Sequence, residues 1–248
     1  MNSRLQNQRA FVTGGSRGIG AAIVRRLARE GARVIFTYSA SPDQAAGVVR
    51  AVAAAGGQAR AVQVDSGDAA ALVAALDRAA AELGGLDLLV NNAGVKALGP
   101  IESITLADFD RALAVNVRAV FVASQAVLRH LPDGGRIINI GSTNADRMPF
   151  PGGAVYAMSK SALQGFVQGL ARDLGPRGIT VNNIQPGPVD TDFNPADSEF
   201  ADVLRNQFVA LKRYAQADEI AGMVAYVASP EAAYVTGANL TIDGGFSA

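Results

Sequence analysis

Residues 10–20 read AFVTGGSRGIG, a short apolar run followed by a glycine-rich turn and the start of a helical segment. Glycine lets the backbone turn tightly and approach a ligand, and a helix N-terminus offers free N–H groups and the positive end of its dipole. A turn of this kind between strand and helix predicts a site for a dinucleotide pyrophosphate. The spacing Gly14-x3-Gly18-x-Gly20 differs from the more common G-x-G-x-x-G, so a plain glycine-rich turn is the alternative interpretation.

Short apolar runs alternate with longer helical segments along the chain. The predicted strands cover residues 10–12, 34–36, 61–64, 86–90, 137–140, 180–184 and 240–242, and the predicted helices cover 21–30, 43–55, 69–83, 108–131 and 156–174. This alternation predicts an α/β fold, a Rossmann-like doubly wound parallel sheet with helices on both faces. In the absence of a composition break, residues 1–248 are predicted to form a single domain. The proline-containing segment 187–214 interrupts the pattern and is predicted to be a short substrate lid.

The composition argues against several kinds of site. Lys plus Arg equals Asp plus Glu at 22 each, so neither nucleic acid nor an anionic membrane is expected as a partner. With no cysteine and one histidine, His130, no metal site or disulfide is expected. The first nine residues are polar, and the apolar stretch 113–131 is interrupted by polar side chains. These features predict a soluble protein and fit a cytoplasmic location.

Two residues in a predicted helix suggest acid–base chemistry. Tyr156 and Lys160 are four positions apart, so both project from one helix face. A phenol has a reference pKa of about 10, and a neighbouring ammonium lowers that pKa toward neutrality. Ser142 follows strand 137–140, at the edge where open α/β sheets bind ligands, and its hydroxyl suits an oxygen that gains negative charge. A surface Tyr–Lys pair and an ordinary Ser-Thr turn are the alternatives.

Further motifs accompany this group: NNAG at 91–94, YAMSK at 156–160, Pro186-Gly187 and DGG at 243–245. In this order, and over essentially the whole chain, the set resembles the short-chain dehydrogenase/reductase family, in particular its 3-oxoacyl-(acyl carrier protein) reductases. The resemblance implies an NAD(P)-dependent oxidoreductase that acts on the CH–OH or C=O group of a small molecule, as a carbonyl reductase does. It also implies a catalytic group of Asn116, Ser142, Tyr156 and Lys160.

Within that group the resemblance gives each residue a role. Tyr156 is the general acid and base, Ser142 positions the substrate oxygen, and Lys160 holds the nicotinamide ribose. Asn116 holds a water of the proton relay. Repair of a helix kink is the alternative role for Asn116, because a buried amide needs hydrogen-bond partners.

The same resemblance places the cofactor against residues from six segments. They are Gly14, Ser16, Arg17, Gly18, Ile19, Gly20, Tyr38, Ser39, Asp65, Ser66, Asn92, Ala93, Gly94, Tyr156, Lys160, Pro186, Gly187, Val189 and Thr191. NAD-preferring relatives carry an acid where this chain has Tyr38, so NADP(H) is expected to be preferred, with Arg17 pairing with its 2′-phosphate. NAD(H), with a solvated Arg17, is the alternative. Asp65 accepts from the adenine amino group by the same resemblance, or it caps the helix near Asp68.

The substrate side is predicted from Ser142, Asn144, Phe150, Tyr156 and Phe193, and these residues suggest a moderately apolar ketone. The helix 156–174 carries small residues and resembles the surface through which the family forms oligomers, which implies a homotetramer. Packing of those small residues on the sheet is the alternative.

A second function also has a basis in the sequence. Residues 147–165 and 185–188 resemble a subgroup of the family that includes a cyclic-di-GMP-binding biofilm dispersal protein. Arg25 and Arg29, four apart on the first helix, suit a phosphodiester, although an exposed helix face explains them better. Cyclic-di-GMP binding in signalling is therefore the alternative function.

Overall fold

The computed structural model describes residues 4–248 and contains a seven-stranded parallel sheet with strand order β3-β2-β1-β4-β5-β6-β9. Its strands are β1 (Arg9–Val12), β2 (Arg33–Tyr38), β3 (Gln58–Gln63), β4 (Leu88–Asn91), β5 (Arg136–Ile140), β6 (Thr180–Pro186) and β9 (Asn239–Ile242). A separate two-stranded sheet pairs β7 (Val189–Asp190) with β8 (Ala215–Gln216). The strand order reverses between β1 and β4, so the carboxyl ends of these two strands open the crevice in which such sheets bind ligands.

Helices cover both faces of the large sheet. They are α1 (Gly18–Arg29), α2 (Pro42–Ala54), α3 (Ala69–Leu83), α4 (Leu106–Leu113), α5 (Ala119–Val127), α6 (Ala154–Leu174), α7 (Glu199–Val203) and α8 (Ala217–Ala228). One apolar core packs α1, α2 and α8 on the sheet, and a second core packs α3, α5 and α6 on the opposite face. Strands β4 and β6 are buried along their whole length because both faces are covered.

All seven predicted strands and all five predicted helices are present, most of them with shifted ends, so the predicted fold class is confirmed. The helix predicted at 108–131 spans 106–127 and is interrupted by a π-helical turn, Ala114–Arg118, between α4 and α5. The segment 187–214 is not irregular throughout, since it contains β7, α7 and a second π-helical turn, Leu204–Phe208. Residues 1–3 of the predicted domain 1–248 lie outside the described residues.

Candidate functional site

The glycine-rich turn is held against the end of β4 by side-chain hydrogen bonds. The Thr13 hydroxyl accepts the backbone N–H groups of Asn92 and Ala93 at 3.0 Å each. The Asn92 amide in turn donates to the carbonyl oxygens of Thr13 and Gly14 at 3.0 and 2.8 Å. A Cβ at Gly20 would collide with the Gly14 carbonyl and the Asn92 amide, so only glycine fits there. These contacts fix the floor of the crevice between β1 and β4.

The N-terminus of α1 fits the phosphates of a dinucleotide. Arg17 precedes the helix without a capping side chain, and the first turn contains no acid. The turn itself needs glycine, because φ is +68° at Gly14 and +51° at Gly18. Its N–H groups therefore face the crevice with no carboxylate competing for them, which is the arrangement that binds anions at helix N-termini.

A single cavity of about 1020 Å³ runs from this turn to the catalytic residues. It is lined by all the predicted cofactor and substrate residues: Gly14, Ser16, Arg17, Gly18, Ile19, Gly20, Tyr38, Ser39, Asp65, Ser66, Asn92, Ala93, Gly94, Ser142, Asn144, Phe150, Tyr156, Lys160, Pro186, Gly187, Val189, Thr191 and Phe193. Of the predicted site residues only Asn116 is not part of the lining. Residues from every segment that the sequence singled out thus meet in one space.

Tyr156, Lys160 and Ser142 lie together in the cavity. Tyr156 and Lys160 occupy successive turns of α6, and the Lys160 ammonium is 6.0 Å from the centre of the Tyr156 ring. The same ammonium is buried and donates to the Ile140 carbonyl at the end of β5 at 2.9 Å. The Ser142 hydroxyl lies close enough to the Tyr156 phenol to favour its ionised form, and it accepts the backbone N–H of Asn144 at 3.1 Å. The Tyr156 phenol thus lies beside the Ser142 hydroxyl, with the Lys160 ammonium on the next turn of the helix.

In the protein without cofactor, the pKa of Tyr156 is shifted in the opposite direction to the lowering that the sequence predicted. Burial raises the pKa of the Tyr156 phenol above its usual value, and only the Ser142 hydrogen bond acts to lower that pKa. Burial also lowers the pKa of Lys160 to about 8, because removal from water disfavours the charged form. Burial therefore has a larger effect on the pKa of Tyr156 than the nearby Lys160 ammonium, whose effect the sequence spacing suggested.

Asn116 lies directly behind the cavity wall, in the π-helical turn between α4 and α5. Its side chain is 1% exposed and makes three hydrogen bonds. The oxygen accepts the N–H of Val95 at 2.9 Å, and the amide nitrogen donates to the Val95 carbonyl and the Ser159 hydroxyl at 3.0 Å each. Asn116 thus joins the irregular helix to the loop after β4, and the Lys160 ammonium lies across Gly94 from it.

Asp65 does not cap a helix. Both of its oxygens bind the guanidinium of Arg111 at 2.9 Å, whereas Asp68 caps α3 by accepting the N–H of Ala71 at 3.0 Å. Arg111 lowers the pKa of Asp65 and lines the cavity beside it. Sequence reasoning missed Arg111 because nothing local to α4 indicates a partner 46 residues away.

The far half of the cavity is rich in aromatic side chains. Phe150 meets Phe200 of α7 edge to face, with ring centres 5.1 Å apart, and the ammonium of Lys96 lies 4.5 Å from the centre of the Phe193 ring. Phe246 completes the wall and is fully buried beside the lid. Lys96, Phe200 and Phe246 were not predicted, since apolar residues and a lysine in loops have no sequence signal for a site.

Residues 14–247 match the family model described as Enoyl-(Acyl carrier protein) reductase. The chain belongs to the short-chain dehydrogenase/reductase family of NAD(P)-dependent oxidoreductases.

Individual relatives cover nearly the entire chain. A short-chain dehydrogenase/reductase from Serratia marcescens BCRC 10948 is 64% identical with a TM-score of 0.97, over 99% of this chain and 100% of that one. A short chain dehydrogenase from Burkholderia cenocepacia J2315, solved in complex with NADP, is 55% identical with a TM-score of 0.97, at 99% and 100% coverage. The cyclic-di-GMP-binding biofilm dispersal mediator protein of Escherichia coli (strain K12) is 50% identical over 238 residues, which is 96% of each chain.

Proposed function

We propose that this protein reduces a ketone or aldehyde to the alcohol with NADPH, reversibly, using Tyr156 as the general acid and base. The observation that carries the proposal is the placement of Ser142, Tyr156 and Lys160 in one cavity that extends to the uncapped N-terminus of α1. A hydroxyl pair beside a buried cation, within reach of a dinucleotide site, suits proton transfer to a carbonyl oxygen.

The site residues fit NADPH. The first turn of α1 offers its N–H groups to the pyrophosphate, and Gly94 and Lys160 border the space for the nicotinamide ribose. Arg17 is exposed at the cavity edge, and the end of β2 presents Tyr38 and Ser39 rather than an acid. In the part of the chain that the structure describes, Arg17 forms no ion pair, and a guanidinium of this kind suits a 2′-phosphate. The NADP complex of the Burkholderia relative supports the same preference.

The chemistry divides between cofactor and protein. When bound, NADPH supplies the hydride that adds to the carbonyl carbon, and its oxidation to NADP balances the reduction of C=O to CH–OH. The raised pKa of Tyr156 keeps the phenol protonated at neutral pH, so it can donate its proton to the carbonyl oxygen. Ser142 donates a hydrogen bond to the same oxygen, and Lys160 with Asn116 forms the route by which Tyr156 regains a proton.

The test is a panel of ketones and alcohols assayed with NADPH and with NADH. Replacement of Tyr156 by Phe is expected to lower kcat/KM for reduction by about 10²–10⁴-fold while NADPH affinity, measured by fluorescence titration, stays within a few-fold. Lys212→Met, outside the cavity, is the control and is expected to retain full activity. Undiminished turnover by Tyr156→Phe would refute the proposal.

Binding of a cyclic dinucleotide is the second candidate. Besides the relationship to the Escherichia coli protein, a small cavity of about 210 Å³ lies on the outer face of α1 and is lined by Arg25, Arg26 and Arg29. Arg26 is already paired with Glu30 at 2.8 Å, and Asp218 also lines this cavity, which weakens the case for an anion. Calorimetric titration with cyclic-di-GMP decides the matter, with Arg25→Ala/Arg29→Ala as the variant expected to lose binding if this surface is used.

Three further features of the sequence remain proposals. We propose that residues 187–214 act as the substrate lid, since Phe193, Phe200 and Leu204 of this segment line the cavity. We also propose a homotetramer, because small residues are exposed along one face of α6. No helix within residues 4–248 is long and apolar enough to cross a membrane. The cytoplasmic location stays a prediction from sequence.

A further inference from the structure

Lys96 projects from the loop after β4 into the substrate half of the cavity. Its neighbour Val95 is fixed by two hydrogen bonds to the buried Asn116, so the backbone that carries Lys96 is firmly placed. The ammonium crosses to the lid and lies over the face of Phe193, 4.5 Å from the ring centre. Burial lowers the pKa of Lys96. Lys96 is exposed overall, and it is the contact with Phe193 that holds its ammonium, partly removed from water, at the cavity.

The other charged residues that line the cavity either have a partner or lie outside its substrate half. Asp65 and Arg111 neutralise each other through two hydrogen bonds. Arg17 stands at the N-terminus of α1, and Lys160 is tied to the Ile140 carbonyl.

Asp192, the remaining charged side chain of the lining, faces α2, where it accepts weakly from Gln44 at 3.4 Å. Lys96 itself forms no ion pair within 4.0 Å in the part of the chain that the structure describes. Within residues 4–248, Lys96 is thus a cation of the substrate half that is paired with no carboxylate and lies against a ring face.

We propose that Lys96 is a specificity-determining residue that selects carbonyl substrates carrying an anionic substituent, such as a carboxylate. The inference rests on the proposed carbonyl reduction and names the substrate class for the same site. Phe150, Phe193 and Phe200 provide aromatic walls, so an aryl ketone with an acidic group suits the space best. A carboxylate can bind the ammonium without displacing it from Phe193, because a cation over a ring keeps its outward N–H donors free.

The test compares 4-acetylbenzoate with its methyl ester, which differ in charge but share the ketone and the ring. Wild-type protein is expected to favour the acid in kcat/KM, and Lys96→Met is expected to lower the value for the acid about tenfold, mainly through KM, and leave the ester nearly unchanged. Lys96→Arg retains the charge and is expected to retain the preference. Lys212→Met, on the lid but outside the cavity, is the matched control.

A second readout does not depend on turnover. Calorimetric titration of the NADP-loaded protein with 4-acetylbenzoate is expected to show binding that Lys96→Met weakens about tenfold. Equal losses for acid and ester in Lys96→Met would overturn the proposal and leave Lys96 as a structural contact to the lid, and so would a wild type without preference. If no carbonyl is reduced by the wild type, the carbonyl-reductase function fails, and the titration alone then decides whether Lys96 recognises an anion.

Discussion

Lys160 has a role in the proposed reaction, but burial of its ammonium lowers the free energy of unfolding. Its pKa in the folded protein is about 8, against about 10.5 in the unfolded chain, because burial disfavours the ammonium. Between these pH values the unfolded chain binds more protons, so the free energy of unfolding rises with pH from about 8 to about 10.5. Below pH 8 the full penalty applies, on the order of 3 kcal/mol from the difference of the two pKa values.

Lys160→Met is therefore expected to stabilise the protein without cofactor. We predict a gain of about 1–3 kcal/mol in the free energy of unfolding at pH 7, reduced from the full penalty because the Ile140 carbonyl loses its donor. The gain should shrink as the pH rises from about 8 to about 10.5 and vanish above that range, where wild-type Lys160 is neutral in both states. Urea denaturation at pH 7, 8.5 and 10 measures it, with Lys212→Met as control. A gain that is the same at all three pH values would contradict the explanation.

The same titration predicts a limit to reduction at high pH. The raised pKa of Tyr156 keeps its proton available, so the first group to change charge in the site is Lys160. We expect kcat/KM for carbonyl reduction to stay level below about pH 8 and to fall above it as the ammonium that supports proton return is lost. A pH–rate profile from 6 to 10 tests this, and a profile that remains level to pH 10 would exclude Lys160 as the titrating group.

At the scale of elements, the π-helical turn between α4 and α5 serves to place Asn116. The inserted residue of such a turn disturbs the regular helix and lets the amide reach Val95 on the neighbouring loop and Ser159 on α6. Asn116→Ala removes all three hydrogen bonds and leaves the N–H and carbonyl of Val95 unpaired. We predict a loss of about 2–4 kcal/mol in the free energy of unfolding, measured by urea denaturation.

Gln125→Ala, an exposed amide truncation on α5 of the same irregular helix, is the control and should cost less than about 0.5 kcal/mol. If the Asn116 variant is no less stable than this control, the hydrogen bonds to Val95 do not hold the loop.

A row of asparagines across four strands makes hydrogen bonds that local sequence patterns do not predict. Asn91, Asn139, Asn183 and Asn239 are direct register partners on β4, β5, β6 and β9. Asn91 donates to Asn139 and Asn183 donates to Asn239, each at 2.9 Å. In each strand the asparagine simply interrupts or borders an apolar run, because its partner is supplied by a strand tens of residues away.

The sequence predicts those features of the structure that depend on local residue patterns. Apolar runs and glycine turns located the seven strands, and the order of motifs located one cavity. Contacts that arise only on folding were not predictable, such as the Arg111 pair that occupies Asp65 and the burial that raises the pKa of Tyr156. Helix α8 was also missed, since its apolar stripe follows the irregular lid and has no glycine turn before it.

One exposed face of α6 suggests a surface through which the protein assembles. Met158, Ala162, Gly165 and Gly169 lie along this face and are exposed, and a Cβ added at either glycine would meet nothing within 4 Å. Phe121 of α5 is 49% exposed and packs edge to face on Phe166 of α6, with ring centres 6.4 Å apart. An apolar face with small residues permits close helix contact with a second copy and so supports the proposed homotetramer.

Phe121→Asp is expected to break this assembly, because a carboxylate buried between apolar helices has no partner. Light scattering should give a tetramer mass for the wild type and a dimer or monomer mass for the variant, while Tyr234→Asp, which changes a fully exposed aromatic elsewhere, should remain tetrameric. Since α6 carries both this face and Tyr156, loss of assembly is also expected to lower kcat. A wild type that scatters as a monomer, or a variant of unchanged mass, would show that these helices do not form the interface.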